Sequence, residues 1–215
     1  MKNLLYKEFR LCILPGLYLF FLGAAMLLIP SYPYYVAFFY QCIALQITTQ
    51  YGRDKNDVYF SVLLPIKKRD VVKARFCTAA ILQCAQIVLA IPFAVLRYAI
   101  NPAPNVAGIE ANVAFFGLVF LLFGVFNFIF FTQYYKAPHK LAGAFIKSMV
   151  VVLLFIAAAE ALVMAVPLLN RTLDTIAPAM LGVQILVLLV CIGLYLLLMV
   201  AGYKKSAKVF EQLDF

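Results

Sequence analysis

Residues 51–75 read YGRDKNDVYFSVLLPIKKRDVVKAR and carry ten charged side chains. By contrast, the 42 residues at positions 11–52 carry none. A dense polar stretch with apolar residues inside it, set between long uncharged runs, is typical of a membrane protein that presents a docking surface to a soluble partner. We therefore expect a membrane-embedded fold with a partner-binding segment at about 54–64.

The composition excludes an ordinary soluble domain. The 215 residues are 66% hydrophobic and 13% charged, whereas soluble domains carry about 25% charged residues. A helix needs roughly 20 apolar residues to cross a bilayer, and the uncharged runs supply six such segments. The sequence thus predicts an all-α integral membrane protein, with one transmembrane domain over residues 1–215. The six spans are expected at about 11–29, 34–50, 76–96, 112–134, 148–169 and 180–202.

The lysines and arginines predict the orientation of the chain. Six spans put both termini on one side, and 16 of the 18 basic residues then fall on that side. Only Arg97 and Arg171 fall opposite. Because basic residues concentrate in cytoplasmic segments, both termini and the 51–75 stretch are expected in the cytoplasm of a multi-pass protein of the cell (plasma) membrane. The net charge of +9 then reflects topology and membrane lipid, with no nucleic acid partner.

The first ten residues, MKNLLYKEFR, predict a short interfacial helix that leads into the first span. Its apolar residues fall close together on a helix, and its three basic residues can reach lipid headgroups. A frayed basic tail is the alternative interpretation, because ten residues barely form a stable helix alone.

The 54–64 segment predicts a helix that lies along the membrane surface. Asp54 can cap its N-terminus, and Asp57 favours the positive end of its dipole. Pro65 ends the element, because it pushes Leu64 out of the helical region. A solvated loop is the alternative, but a loop has no need for so many apolar side chains beside water. The residues expected to contact a partner are Asp54, Lys55, Asp57, Val58, Tyr59, Phe60, Val62 and Leu63, and the expected headgroup anchors are Lys67, Lys68 and Arg69.

The same stretch resembles a known family. Leu64-Pro65, the basic cluster Lys67-Lys68-Arg69 and the run Val71-Val72-Lys73-Ala74-Arg75 are similar to the cytoplasmic segment of type-2 ABC exporter permeases. Lys7-Glu8-Phe9 near the start resembles that family's elbow helix, and the six-span layout matches too. In length and short loops, the chain resembles most the small permeases of Gram-positive peptide exporters.

The resemblance implies a coupling helix at about 54–64, docked into a cytoplasmic ABC ATPase subunit. It also implies a second permease copy or a paralogue, since six spans resemble half of the family's pore. An ATP-binding loop needs a Gly-Lys pair, and no glycine in this chain precedes a lysine. The chain is therefore expected to be a transport subunit and no enzyme, with no catalytic residue, metal site or cofactor of its own. ATP and Mg²⁺ are expected in the partner ATPase.

Four polar side chains inside the predicted spans are candidate pore or substrate residues: Glu160, Asn127, Gln83 and Gln86. Glu160 is expected ~18 Å beyond Ser148, near mid-bilayer, where a charge costs about 2.5–3.5 kcal/mol. It should face other helices or a water-filled cavity, or be protonated. A cargo contact, a gate and a structural hydrogen bond all stay open for Glu160. Asn127 is a candidate partner for it, and such amides more often join helices than bind substrate.

The predicted function is the permease subunit of an ATP-driven exporter. Its cargo is expected to be hydrophobic or amphipathic, with small peptides first and lipids or drugs second. One alternative is an ion- or proton-coupled carrier driven through Glu160, although no internal repeat of the kind that such carriers show is evident. Another is a membrane scaffold that transports nothing and depends only on the 51–75 stretch.

Overall fold

The computed structural model of the protein describes residues 2–63 and 66–212. Most of the residues in these ranges are helical, and none is in a strand. The main elements in chain order are α1 Lys2–Lys7, a 3₁₀-helix Pro15–Leu28, α2 Tyr35–Asp54, α3 Asp57–Leu63, α4 Lys68–Ile100, α5 Val113–Lys136, α6 Leu141–Ala165, α7 Pro167–Leu173 and α8 Leu181–Glu211. A π-helical turn, Glu8–Cys12, follows α1, and single 3₁₀ turns precede α6 and α8.

Several of the helices are long and apolar enough to cross a membrane. Among the described residues, α4, α5, α6 and α8 meet that standard. The pair Lys2–Cys12 and Pro15–Leu28, which meet at 87°, makes a fifth candidate if it is one broken span. The prediction of an all-helical, multi-pass membrane protein is therefore confirmed. The described residues supply four or five candidate spans, so the predicted count of six is not confirmed.

The helix at the position of the predicted 34–50 span, α2, is the most polar of the long helices. It carries three glutamines and two threonines. The hydroxyls of Thr48 and Thr49 each donate to the carbonyl one turn earlier at 2.8 Å, and Gln46 donates to Gln50 at 3.0 Å. Polar groups that are satisfied within their own helix are less costly in an apolar environment. A sixth span through α2 stays a prediction.

The first predicted span, 11–29, is broken near its start. Leu14 is extended and Pro15 opens the 3₁₀-helix, as expected for a residue before proline and for proline at a first helical position. A 3₁₀-helix rises about 2.0 Å per residue, so its 14 residues cover about 28 Å, close to the ~30 Å of a hydrocarbon core. This stretched form lets a short segment reach most of the way across a bilayer.

The central helix of the fold is α5, which packs against both α6 and α8. In the most apolar 18-residue stretch of α5, 56% of the residues are buried, compared with 22% in the corresponding stretches of α6 and of α8. Two glycines on α5 allow α8 to come close. A Cβ at Gly117 would lie 2.9 Å from the Cα of Leu188, and one at Gly124 would lie 3.2 Å from the Cα of Tyr195. Close backbone approach of this kind is how membrane helices gain packing energy.

Gly117→Ala is expected to lower the stability of the protein. The added Cβ would meet the backbone of Leu188, which no rotamer change can relieve, and overpacking of this kind costs about 1–3 kcal/mol. Gly193→Ala in α8 is the matched control, because a Cβ there meets nothing within 4 Å and alanine favours a helix over glycine by about 1 kcal/mol. Thermal unfolding in detergent measures both. Equal midpoints would contradict the close contact of α5 with α8.

Candidate functional site

A buried ionic cluster joins the start of the chain, α3 and the first turns of α4. Its members are Lys7, Glu8, Asp57 and Arg75. The Arg75 guanidinium lies 2.9 Å from the Glu8 carboxylate and 3.0 Å from that of Asp57. The Lys7 ammonium lies 2.8 Å from Asp57 and 3.5 Å from Glu8. Each acid therefore contacts both bases, and two positive charges cancel two negative ones.

Burial makes this cluster a strong geometric constraint. The exposed fraction is 0% for Glu8 and 4% for Arg75. Removing such ions from water costs several kcal/mol each, and only close opposite charges offset that cost. The contacts to Glu8 are ion pairs rather than well-aligned hydrogen bonds, so charge cancellation is what retains this carboxylate in the interior. Separating either base from the acids would leave an uncompensated buried charge.

The cluster also holds α3 against the membrane domain. Lys7 donates to the Ser61 hydroxyl at 2.8 Å, and that hydroxyl donates to the carbonyl of Asp57 at 2.7 Å. Ser61 is buried, whereas Leu63 at the end of α3 is 65% exposed and Phe60 is 63% exposed. One side of α3 is thus bound by polar contacts, and apolar side chains reach outward from it.

The helix predicted at 54–64 begins at Asp57 rather than at Asp54. The reason is that α2 continues through Asp54, whose carboxylate pairs with Arg53 at 3.0 Å. A turn follows, in which Asn56 has a φ of 52°, a left-handed conformation that asparagine tolerates well. Lys55 lies over the ring of Tyr51, at 5.7 Å from its centroid. Asp57 then occupies the first turn of α3 and joins the ionic cluster.

The predicted headgroup anchors lie at the start of α4. Lys67 is exposed just before the helix, and Lys68 opens it. Arg69 pairs with Glu211 at the end of α8, so this anchor also contacts protein. Three of the predicted contact residues, Val58, Tyr59 and Val62, have side chains outside what the structure describes. Leu64 and Pro65, the predicted end of the helix, lie wholly outside it.

Three potential metal ligands meet inside the ionic cluster. One ligand atom from each of Glu8, Cys12 and Asp57 lies within 4.8 Å of the others. Both carboxylates, however, already contact Lys7 and Arg75, and Arg75 also lies 4.0 Å from the Cys12 sulfur. A divalent cation would have to displace these bases, so the arrangement fits an ion-pair cluster better than a metal site.

Two of the candidate pore residues bind each other. Gln83 on α4 and Asn127 on α5 exchange hydrogen bonds of 3.0 and 2.7 Å. Tyr195 on α8 donates to Gln83 at 3.4 Å, and the Asn127 amide nitrogen lies 3.2 Å from the Met199 sulfur. The pair therefore joins three spanning helices. Asn127, a candidate partner for Glu160, thus binds Gln83 instead.

A third candidate, Gln86, joins α4 to α2. It is fully buried, and its amide nitrogen donates to the carbonyl of Ala37 at 3.4 Å. Its amide oxygen has no hydrogen-bond partner among the described residues. All three amides thus make contacts between helices in this structure, a common role for such side chains in membrane proteins.

Glu160 binds the backbone of the segment between α4 and α5. Its carboxylate accepts from the amide of Ile109 at 3.1 Å and lies against Gly108, where a Cβ would come within 2.8 Å of it. The helix that carries Glu160 differs from the predicted span, because α6 runs from Leu141 to Ala165 and not from 148 to 169. Glu160 is five residues from the end of α6, about 7–8 Å along the helix axis.

Further polar contacts make a loop-side network at the end of the bundle away from the ionic cluster. Tyr98 donates to the Glu110 carboxylate at 3.0 Å, and the Glu110 amide donates to Asp174 at 2.9 Å. The side-chain amide of Asn112 donates to the backbone carbonyls of Leu173, which ends α7, and of Thr175, which follows it. The loop-side network consists of these four residues and Glu160. It ties the segment between α4 and α5 to the segment between α7 and α8.

Glu8, the acid at the centre of the ionic cluster, was noted in the sequence only within the elbow-helix resemblance, with no partner predicted for it. Glu8 is the only acid before Asp54, and an isolated acid ahead of a span needs a cation. Arg75 is the last base before the third predicted span. Those two signals, taken together, would have suggested the pair. Nothing in the sequence indicated that α3 would supply the second acid.

Together, the fold and the site define a multi-pass, all-helical membrane protein with a short surface helix fixed to its spans by charge. Residues 3–211 match the family model described as ABC-2 family transporter protein. The chain therefore belongs to that family and is the permease component, the membrane subunit that partners an ABC ATPase. This confirms the resemblance carried by the 54–76 stretch. No curated protein and no solved structure matches the chain.

Arg75→Met is expected to destabilise the protein by about 3–5 kcal/mol, because it leaves buried Glu8 without its cation. Adding Glu8→Gln should recover much of the loss by removing the stranded charge. Arg69→Met is the control, since Arg69 is 63% exposed and surface pairs contribute about 0–1 kcal/mol. Denaturant unfolding in detergent measures the free energies. A loss for Arg75→Met no larger than for Arg69→Met would contradict the role of the cluster.

The stability of the loop-side network is expected to rise as the pH falls below neutrality. Burial raises the pKa of the Asp174 carboxyl, the hydrogen bond from the Glu110 amide opposes this, and the Glu110 charge raises the pKa further. The folded protein then binds this proton more readily than the unfolded chain does, so acidification stabilises it. Asp174→Asn retains the acceptor and removes the charge, and should flatten the rise of the thermal midpoint on acidification at pH values above the ordinary Asp pKa of about 3.9. Parallel profiles for the two proteins would contradict this.

Proposed function

We propose that this chain is the permease subunit of an ATP-driven exporter, and that α3 is its coupling helix. The observation that supports this most directly is the pairing of Asp57, in the first turn of α3, with Lys7 and with Arg75 on α4. A surface helix that a cytoplasmic subunit moves must be fixed to the spans, or its motion would not reach them. The ionic cluster provides that attachment.

The length of α4 extends this connection across the membrane. The helix has 33 residues and is about 50 Å long. Arg75 near one end belongs to the ionic cluster, and Tyr98 near the other belongs to the loop-side network. We infer that ATP and Mg²⁺ bind in the partner ATPase, that its closure displaces α3, and that α4 passes the displacement to the far side. Such coupling requires contacts that differ between the two states.

Glu160 is proposed as part of a gate on that far side. It holds the segment between α4 and α5 through the amide of Ile109, so opening that segment means breaking this hydrogen bond. The proposal favours the gate over a midplane cargo contact, because Glu160 lies near the end of α6. Gln83, Gln86 and Asn127 are proposed as helix contacts that a transport cycle has to preserve or exchange.

The cargo is proposed to be hydrophobic or amphipathic, with small peptides first. The described surfaces of α6 and α8 present leucine, isoleucine and valine to their surroundings, and most of each helix is unburied. Part of this surface is proposed to contact a second permease copy or a paralogue, and the rest membrane lipid. Both termini and α3 are proposed to be cytoplasmic, as the distribution of lysine and arginine favours.

Leu63→Asp is expected to weaken the contact with the ATPase and to uncouple ATP hydrolysis from transport. Burying a charge in an apolar docking groove costs more than about 1.4 kcal/mol, a factor of ten in affinity. The matched control is Val106→Asp, on the loop side, which is 79% exposed against 65% for Leu63. Co-purification of the ATPase subunit and transport of a labelled peptide in proteoliposomes measure the effect.

Unchanged co-purification and transport in Leu63→Asp would contradict the docking role of α3. Transport by the permease alone, without the ATPase or ATP, would overturn the proposal more broadly and favour a carrier driven through Glu160. The two outcomes are separable, because the first concerns the docking surface and the second the energy source.

A further inference from the structure

We propose that a cleft between α4, α5 and α8 binds one acyl chain of a membrane phospholipid. The cleft measures about 320 Å³. Its walls include Ile91 and Val95 of α4, Phe116 and Phe120 of α5, and Leu188 of α8. This inference does not depend on the cargo or on the coupling role of α3.

The length of the cleft matches one leaflet. On α4 its lining residues run from Ile87 to Tyr98, eleven residues apart and therefore about 16 Å along the axis. Half of a typical hydrocarbon core is about 15 Å thick. A chain that enters beside Tyr98 and ends beside Ile87 would reach from the membrane interface to the bilayer midplane.

The polarity of the cleft changes in the way a phospholipid requires. Ten of its twelve lining residues are apolar, and the two polar ones, Tyr98 and Asn112, belong to the loop-side network. Tyrosine is typical of the membrane interface. An acyl chain fits the apolar part, and its headgroup fits the polar end.

The cleft is continuous with the lipid-facing surface of the spans. Val95 is a lining residue and is 66% exposed. Val88 and Leu189, which follow the lining residues Ile87 and Leu188 in sequence, are 64% and 60% exposed. No segment among residues 2–63 and 66–212 closes this opening. An occupant therefore enters sideways from the bilayer, where acyl chains are the abundant species.

Small residues create the space. Ala94 and Ala111 line the cleft, and Pro92 lies inside the same stretch of α4. Larger side chains at the alanine positions would fill the volume that an acyl chain otherwise occupies. The chain would gain close packing on several sides, the contact that holds apolar groups together when water is absent.

The absence of tryptophan from the sequence allows a direct test. Phe120→Trp puts a single fluorophore in the cleft, and Phe116→Trp is a second such reporter. Leu154→Trp on α6 is the control, at a position that is 64% exposed. Each full-length variant is reconstituted in phosphatidylcholine vesicles with brominated acyl chains, which quench tryptophan on contact. The protein is then extracted and washed in detergent.

In the vesicles, the fluorescence of the cleft reporters Phe120→Trp and Phe116→Trp and of the control Leu154→Trp should all be quenched. After washing, the cleft reporters should retain most of their quenching while Leu154→Trp recovers. Val95→Phe, which fills the cleft, should abolish the retained quenching in the Phe120→Trp background. Val88→Phe, on the same helix and equally exposed, should leave it unchanged. Lipid extraction and mass spectrometry should find about one phospholipid per chain, the stoichiometry of a single site.

Three results would overturn the proposal. Full recovery of the cleft reporters on washing would show a surface no different from the rest of the bilayer contact. Absence of quenching in vesicles would show that protein, such as a second copy of this chain, covers the cleft. Retention of an amphiphile other than phospholipid would assign the cleft to cargo.

Discussion

The fold depends on a requirement for charge cancellation where the chain enters the membrane. Glu8 and Arg75 are almost fully buried, and neither could remain so without the other because an unpaired ion in the interior is strongly destabilising. Lys7 and Asp57 complete the balance. As a result, three segments far apart in sequence are held at one place, and the position of the surface helix α3 follows from the positions of α1 and α4.

At the other end of the bundle, hydrogen bonds replace ion pairs. The acids Glu110, Glu160 and Asp174 accept from backbone amides and a tyrosine hydroxyl. Between the two ends, the Gln83–Asn127 pair is buried among apolar side chains. In each assembly the polar groups contact one another across helices or segments. This suits a transport protein, in which two packings must have similar free energies.

The class of fold could be predicted from the sequence, because hydropathy and charge patterns act over whole segments. The family could be predicted from the resemblance of the 54–76 stretch. Details that depend on a single contact or helix boundary were predicted less accurately. The start of α3 moved to Asp57 because α2 ran on through Asp54. Glu160 is five residues from the end of its helix, because α6 ends at Ala165 rather than at 169. The span count stays at four or five candidates, because α2 is polar and the first segment is bent.

By itself, the sequence determined that the chain lies in a membrane, that it is helical and that it belongs with ABC permeases. The first two properties follow from local composition, since a bilayer accepts only helices or closed barrels whose backbone groups are internally satisfied. The third rests on the resemblance of the 54–76 stretch to that family. Only the tertiary structure decided that Arg75 pairs with Glu8, that Asn127 pairs with Gln83 rather than Glu160, and that a cleft remains between α4, α5 and α8. Partners distant in sequence are chosen by helix packing, which no local pattern specifies.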